Sequence, residues 1–231
     1  MCSSRWSTLA ALLLPAACFP VEQVDLPQSV KIDDFEDGDN LAPFESGFAW
    51  WWGSTWATGP MKQPIPTYGT SSPGYESDAA FFVIFRLERF PAADYTEAVL
   101  GVDADGTRDV RSFRSLSFVA KFEPGDPPPP KGTRLECEFS CEAAFAEFPD
   151  ATPVVMYYNR GNSKYGFELT GDWSSYTLQL ADFEEPWWQG SAVQVETCLG
   201  LVHTLRFVIR PDLRAGEAAE GTLLIDDIYL E

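Results

Sequence analysis

Apolar and polar residues along this chain fall into short runs of six to nine residues, separated by clusters of Gly, Pro, Asn and Asp. Within many runs the two classes alternate, which is typical of a strand with one buried face. Short runs of this kind predict an all-β protein, a β-sandwich jelly roll with about ten to eleven strands and little helix. The predicted strands are 30–36, 47–52, 79–87, 96–102, 115–122, 134–139, 153–158, 164–169, 175–181, 203–210 and 222–230.

The first residues predict an export signal. Residues 1–17 hold one positive charge, Arg5, an apolar run that is too short to span a bilayer, and small residues before Cys18. Those small residues resemble a bacterial lipobox, although Pro15 stands where that pattern usually has Leu. We therefore expect a signal peptide at 1–17, a tether at 18–29 and a single domain at 30–231. Lipidation of Cys18 predicts an outer-membrane or cell-surface lipoprotein, in contact with the membrane through its lipid anchor alone. The alternative is a periplasmic or secreted protein.

Charge excludes one class of partner. The chain has 231 residues, with 16 Lys and Arg against 35 Asp and Glu, which gives a net charge of −19. Nucleic-acid binders depend on clustered basic residues, so we expect no nucleic-acid partner. The apolar content of 45% is nevertheless enough for a folded core. Nothing in the composition indicates an oligomeric state.

Three cysteines of the predicted domain are candidates for a disulfide. Cys137 and Cys141 lie four residues apart in a predicted strand, where their Cα atoms would be about 13 Å apart and out of disulfide reach. Cys198 is therefore the expected partner for one of them, and the sequence leaves open which one.

Acidic residues near both ends of the domain predict a metal site. Asp34 and Glu36 share one face of the first predicted strand, and Asp226 and Asp227 lie between two isoleucines in the last. A buried carboxylate is costly unless it is paired or binds a metal. If the two terminal strands are adjacent, these oxygens suit a structural calcium. The alternative is a set of exposed acids at turns and edges.

Tryptophan is concentrated at two places in the chain. Trp51, Trp52 and Trp56 lie in one segment that also holds Trp50, while Trp187 and Trp188 stand together. Three consecutive tryptophans cannot all face the core of a sandwich, because neighbours on a strand face opposite ways. Exposed aromatic rings in an exported protein predict stacking against sugars. The alternative is that such a ring closes one end of the sandwich.

A second aromatic stretch, MYYNRGNSKYGF at 156–167, has the pattern of a hairpin with a Gly-Asn turn. Such a hairpin would bring Tyr157 and Tyr165 together across two strands. The pair could line a binding face or pack on the outside of the sheet.

Five motifs follow one another along the predicted domain: IDDFEDGD, DVRSFRSLSFVAKF, GDWSSYTLQLADF, LRFVIR and GTLLIDDIYLE. Their order resembles that of family 11 carbohydrate-binding modules, and they are also similar to related galactose-binding-like jelly rolls, including the domain of complex I intermediate-associated proteins. The resemblance covers most of residues 30–231. It implies a jelly roll, a structural calcium that joins the first and last strands through Glu36 and Asp226, and an aromatic cleft for β-glucan lined by Tyr165 or Phe167.

No segment presents a convincing pair of catalytic carboxylates. Glu184 and Glu185 are adjacent and so diverge in an extended chain, and the one histidine, His203, begins an apolar strand. We therefore name no catalytic residue. The sequence predicts a non-catalytic domain that binds β-glucan-type polysaccharide. The alternatives are a protein-interaction or assembly domain on the same fold and, third, a glycan hydrolase or lyase.

Overall fold

The computed structural model describes residues 29–36, 48–56, 67–71, 73–89, 96–141, 154–158, 166–168, 170–185 and 193–231. Strands dominate this part of the chain. They are β1 Val30–Asp33, β2 Phe48–Trp56, β3 Thr67–Ser71, β4 Ala80–Glu88, β5 Thr96–Arg108, β6 Ser115–Pro124, β7 Arg134–Cys141, β8 Val154–Tyr158, β9 Phe167–Glu168, β10 Ser174–Gln179, β11 Phe183–Glu184, β12 Val202–Ile209 and β13 Ala218–Leu230.

The strands form two antiparallel sheets. One has six strands in the order β10-β6-β13-β4-β3, with β1 paired to β13. The other has seven in the order β11-β8-β7-β12-β5-β2, with β9 paired to β7. A 3-10 turn at Leu180–Asp182 and one short helix, α1 Val195–Leu199, complete the regular structure of the described residues. The predicted all-β sandwich is confirmed. Within the described residues, we find no helix with the length and apolar character that a membrane span requires.

A single apolar layer lies between the two sheets. Phe118 of β6 and Phe207 of β12 meet across it edge to face, with ring centroids 4.9 Å apart. Both rings are at most 2% exposed, and the inward residues of β4, β5, β7 and β13 extend the same layer. Alternation along each strand thus places one set of side chains in this core and leaves the other set for the outer faces.

The first and last strands pair, which is the arrangement that the predicted metal site requires. Val30 lies opposite Leu230 in antiparallel register, and the register shifts between Lys31 and Asp33. The predicted strand at 30–36 is too long, however, because β1 ends at Asp33 and Phe35 adopts a positive φ of 57°. The expected grouping of Asp34 with Glu36 by strand alternation is therefore wrong, since the chain has left the extended conformation before Glu36.

The predicted hairpin at 156–167 is also wrong. β8 and β9 both pair antiparallel with β7: Tyr157 lies opposite Glu138, and Phe167 lies opposite Leu135. The two strands therefore follow one another along the same edge of β7 instead of facing each other. The register relative to β7 differs by seven residues between β8 and β9. Tyr165 lies outside the described residues.

Candidate functional site

The outer face of the seven-stranded sheet carries an unusual number of charged side chains. In β7, Cys137 and Phe139 belong to the core, so Glu136 and Glu138 lie on the outer face. In β12, Leu205 and Phe207 belong to the core, which places Arg206 on the same outer face. Two strands that each alternate an apolar residue with a charged one therefore set acids beside bases.

One row of residues crosses this face from strand to strand. In the antiparallel register, Tyr157 of β8 lies opposite Glu138 of β7, Glu138 opposite Arg206 of β12, Arg206 opposite Gly101 of β5, and Gly101 opposite Trp51 of β2. Residues directly opposite one another share a face of the sheet. We call these five residues the Trp51–Tyr157 row. Its four strand spacings of about 4.8 Å give a length of about 19 Å.

An ion-pair network surrounds the middle of the row. Arg206 Nη2 lies 2.6 Å from Glu138 Oε2. Arg210, just beyond the end of β12, donates from Nη2 to Glu97 Oε2 at 2.6 Å and from Nη1 to Glu136 Oε2 at 2.5 Å. The same Nη2 lies 3.6 Å from Glu138 Oε1. The guanidinium group of Arg210 therefore lies close to three carboxyl groups. We call Glu97, Glu136, Glu138, Arg206 and Arg210 the Arg210 cluster.

The cluster is mostly shielded from water. The side chain of Glu138 is 1% exposed, whereas those of Arg206 and Arg210 keep 26% and 28% of their surface. Val99 and Val208, on the same outer face, are also buried. Solvent therefore reaches this part of the sheet chiefly at the two guanidinium groups.

Burial changes the acid strength of Glu136. Desolvation raises its pKa to about 7, and the nearby carboxylates of Glu138 and Glu97 act in the same direction, while Arg210 opposes them. Near neutral pH this carboxyl group is therefore about half protonated, an acid–base property that the sequence did not reveal.

Arg206 has an unsatisfied donor at the centre of the row. Its Nε is buried and has no hydrogen-bond acceptor within the part of the chain that the structure describes. A buried donor without an acceptor costs about 1–3 kcal/mol.

The carboxylates predicted to bind metal lie at the corner where β1 meets β13. Asp226 is fully buried and accepts hydrogen bonds from Tyr75 N at 2.9 Å, Ser77 Oγ at 2.8 Å and Asp227 N at 2.8 Å. Burial raises the pKa of Asp226, and these three donors oppose the shift. The segment before β4 thus supplies most of the partners of the buried carboxylate.

The other three acids form the exposed side of the corner. Glu36 accepts hydrogen bonds from the backbone N–H groups of Asp78 and Ala79, both at 3.1 Å, and Asp34 pairs with Lys31. Burial raises the pKa of Asp227, and the negative charges of Asp34 and Glu36 add to this effect. The negative charges of Asp34 and Glu36 therefore act on Asp227 at this corner. Among the described residues, no three acids are grouped closely enough to hold a metal ion.

Two solved structures superpose on this chain over most of its length. A family 11 carbohydrate-binding module of a cellulosomal cellulase of Clostridium thermocellum gives a TM-score of 0.52 at 11% identity, over 87% of this chain and 93% of that one. A family 11 module from Clostridium thermocellum in complex with a β-1,3-1,4-mixed-linked tetrasaccharide gives 0.50 at 10% identity, over 87% and 94%. The chain has the fold of a family 11 module. No protein-family model matches the sequence, and no curated protein matches it.

In this family 11 fold, the aromatic residues that were predicted to bind sugar fall into three groups. Trp51 and Tyr157 hold the two ends of the row. Trp52 and Trp56 also belong to β2. Trp52 lies opposite the core residue Leu100 of β5, and Trp56 lies opposite Thr96 of β5. The remaining three, Tyr165, Trp187 and Trp188, fall outside the described residues, as does Cys18.

Phe167 does not line an outer cleft. Its ring stacks on Tyr176 at a centroid distance of 4.4 Å and contacts Phe118 at 5.6 Å, both on the opposite sheet. The resemblance implied Tyr165 or Phe167 as a cleft residue, and the position of Phe167 between the sheets removes that choice.

Sequence reasoning missed the Arg210 cluster. RLECEF and HTLRFVIR carry the signal, since each alternates apolar residues with charged ones that share the outer face. The pairing of β7 with β12, and of β12 with β5, was needed to show that these charges meet.

The cysteines are assigned by the structure. Cys198 of α1 forms a disulfide with Cys141 at the end of β7, with a Cα–Cα distance of 5.2 Å. Cys137 is a buried free thiol in the core. The disulfide fastens α1 to the seven-stranded sheet, at the opposite end of β7 from Glu136.

Proposed function

We propose that this domain binds a β-glucan-type polysaccharide along the Trp51–Tyr157 row. The observation that carries the proposal is the row itself: an aromatic residue at each end in the strand register, and between them the partly exposed guanidinium group of Arg206, which can donate to sugar hydroxyl groups. The fold shared with family 11 modules supports the proposal, and one of those modules was solved with a β-1,3-1,4-linked tetrasaccharide.

Electrophoresis through gels that contain soluble β-glucan tests this proposal. The wild-type domain is expected to migrate more slowly than in a glycan-free gel, and Trp51→Ala and Tyr157→Ala should each restore part of the mobility. Trp173→Ala is the matched control, because Trp173 contacts Tyr75 at 5.9 Å on the six-stranded side. Equal loss in Trp173→Ala and Trp51→Ala would indicate general damage and would contradict a site on the row.

The polar part of the row is tested by Arg206→Gln. Hydrogen bonds to charged groups contribute about 1.5–3 kcal/mol, so the affinity for β-glucan should fall about ten- to hundredfold. Arg86→Gln is the control, since Arg86 makes a 3.0 Å ion pair with Glu220 on the other sheet and is 62% exposed. Unchanged affinity in Arg206→Gln would remove this residue from the site.

A structural calcium at the β1–β13 corner is the second part of the proposal. Asp34, Glu36 and Asp227 supply the hard oxygen atoms that calcium prefers, while Asp226 is already held by three donors. The charge excess of this corner, against the ammonium group of Lys31, favours a divalent cation. Calcium when bound would tie the start of the domain to its end.

Chelation tests the calcium. At a calcium concentration 100-fold above Kd the bound ion stabilises by about 2.7 kcal/mol, so EDTA should lower the Tm by about 5–10 °C. Asp227→Asn should abolish the difference. Equal Tm values with EDTA and with added calcium, together with a metal-free mass by native mass spectrometry, would contradict the site.

Export completes the proposal. The Cys141–Cys198 disulfide supports an oxidising compartment, where such bonds persist. Anchoring through lipid on Cys18 is tested by metabolic labelling with a radioactive fatty acid, with Cys18→Ala as the control. Equal labelling of both proteins would contradict the anchor.

A further inference from the structure

A second line of residues runs beside the Trp51–Tyr157 row. Its members lie opposite one another from β8 to β2, each two positions from the corresponding residue of the row: Val155, Ser140, Thr204, Asp103 and Ala49. Residues two positions apart on a strand share a face and are separated by about 7 Å. A sugar ring with its hydroxyl groups spans a comparable distance, so a glycan on the row lies within reach of the second line.

The centre of this line is polar and ordered. Thr204 Oγ1 donates to Asp103 Oδ1 at 2.6 Å, and His203 Nδ1 lies 3.0 Å from the same Oγ1. A hydroxyl group has one hydrogen, and here it points to the carboxylate, so Thr204 accepts from the Nδ1–H group of His203. We call these three residues the Asp103 triplet. Its two hydrogen bonds hold a carboxylate and an imidazole ring on either side of one hydroxyl group.

A β-bulge brings the imidazole ring to this position. Val202 lies opposite Cys141 of β7 and Thr204 lies opposite Ser140, so two steps along β12 match one step along β7. His203 is therefore the extra residue of the bulge. Bulges occur frequently next to binding and active sites, because they redirect a side chain. Here the bulge places the ring beside the Thr204 hydroxyl group on the outer face.

The two ends of the triplet are accessible, whereas its centre is not. Thr204 is 6% exposed, while Asp103 and His203 are half-buried. The remaining polar atoms, Asp103 Oδ2 and His203 Nε2, have no hydrogen-bond partner among the described residues. Oδ2 can accept from a sugar hydroxyl group. Nε2 can accept from one when the ring is neutral and donate to one when it is protonated.

Resting on the proposed function, we propose that the Asp103 triplet is a second hydroxyl-binding element of the glycan site. Asp103 and His203 bind hydroxyl groups of the sugar, and Thr204 is a positioning residue that fixes both side chains. The ligand at this point is a neutral sugar with free hydroxyl groups, because the carboxylate of Asp103 repels an acidic one.

The order of the hydrogen bonds differs from that of a catalytic triad. In a triad the hydroxyl group donates to the imidazole ring, which takes its proton and is oriented by a carboxylate. In the Asp103 triplet the hydroxyl group donates to the carboxylate, and the imidazole ring donates to the hydroxyl group. His203 Nδ1 therefore holds a proton where a base needs a lone pair. This arrangement suits binding and not nucleophilic attack by Thr204.

Calorimetric titration of soluble β-glucan into Asp103→Asn and Thr204→Val tests the triplet. Asparagine keeps an oxygen for Thr204 but replaces Oδ2 by a donor, so the affinity should fall about tenfold or more. Valine has the shape of threonine without its hydroxyl group, and the affinity should fall about two- to tenfold. Thr204→Ser keeps the hydroxyl group and should restore most of the affinity. The matched controls are Glu123→Gln and Thr177→Val, both exposed on the six-stranded sheet.

Nitrogen-15 NMR of the imidazole ring examines the triplet without glycan. His203 is the one histidine of the chain, so its signals need no assignment in untagged protein. At about pH 8.5 an ordinary imidazole ring is neutral. The wild type and Thr204→Ser should then carry the proton on Nδ1. Thr204→Val should shift toward the Nε2–H tautomer, which free histidine favours.

The possible results are distinct. Weaker binding in Asp103→Asn and Thr204→Val, recovery in Thr204→Ser and an Nδ1–H tautomer in the wild type support the proposal. Wild-type affinity in Asp103→Asn, an Nε2–H tautomer in the wild type, or an equal loss in the controls overturns the triplet and leaves the proposed function intact. No binding of β-glucan by the wild type overturns both.

Discussion

Arg210→Met removes the cation that holds three carboxyl groups together and nearly preserves the side-chain volume. Removing one partner of a buried ion pair costs about 3–5 kcal/mol, because the remaining charge is left uncompensated. We apply this full range to Arg210, because its guanidinium group contacts the carboxyl groups of Glu97 and Glu136 at 2.6 and 2.5 Å and both glutamates are mostly buried. We expect a loss of about 3–5 kcal/mol in the free energy of unfolding at pH 8, or about 6–20 °C in Tm.

The loss should depend on pH. Without the guanidinium group, the buried carboxyl groups favour their neutral form in the folded state, and protonating them costs less at pH 5 than at pH 8. Urea unfolding at both pH values, under conditions that keep the disulfide, measures the difference. Arg86→Met is the control, because its exposed ion pair contributes about 0–1 kcal/mol. A loss in Arg210→Met no larger than in Arg86→Met, or equal at both pH values, would refute the reasoning.

The remaining predictions concern three other positions. Glu136→Gln should flatten the stability of the wild type against pH: a carboxyl group whose pKa is raised from 4.5 to about 7 contributes fully below pH 4.5, and the contribution is lost as the pH rises through 7. An unchanged slope in urea unfolding would contradict this. Asp226→Asn should lose about 1–3 kcal/mol, because an amide cannot accept from all three donors, whereas a loss no larger than that of Glu123→Gln on the exposed surface would contradict the role of Asp226. Paired Cys141→Ser and Cys198→Ser should lose about 4 kcal/mol for a loop of 57 residues, and an unchanged urea midpoint would contradict that value.

Much of the fold could be predicted from the local sequence, because each strand with one buried face shows alternating apolar and polar residues. The pairing of the terminal strands and a disulfide to Cys198 were within reach of the same reasoning. The sequence did not show that β1 ends at Asp33, where Phe35 N donates to Asp33 Oδ1 at 2.8 Å and Phe35, fully buried, adopts a positive φ. A glycine at that position would have given a signal, and phenylalanine did not.

The site was less predictable than the fold. Trp51 and Tyr157 were singled out for their aromatic character, but their places at the two ends of one row depend on the register of five strands. Glu138 and Arg206 are ordinary charged residues in sequence and become a buried pair through the pairing of β7 with β12. The hairpin prediction failed because β8 and β9 both pair with β7 and not with each other. A turn motif carries no information about pairing with a third strand.

Calorimetric titration of the wild-type domain with soluble β-glucan at pH 6 tests the central claim most directly. We predict a saturable binding heat that Trp51→Ala and Tyr157→Ala both reduce, while Trp173→Ala leaves it intact. The absence of binding heat in a folded wild-type domain, across β-glucans of mixed and single linkage, would contradict glycan binding on this face.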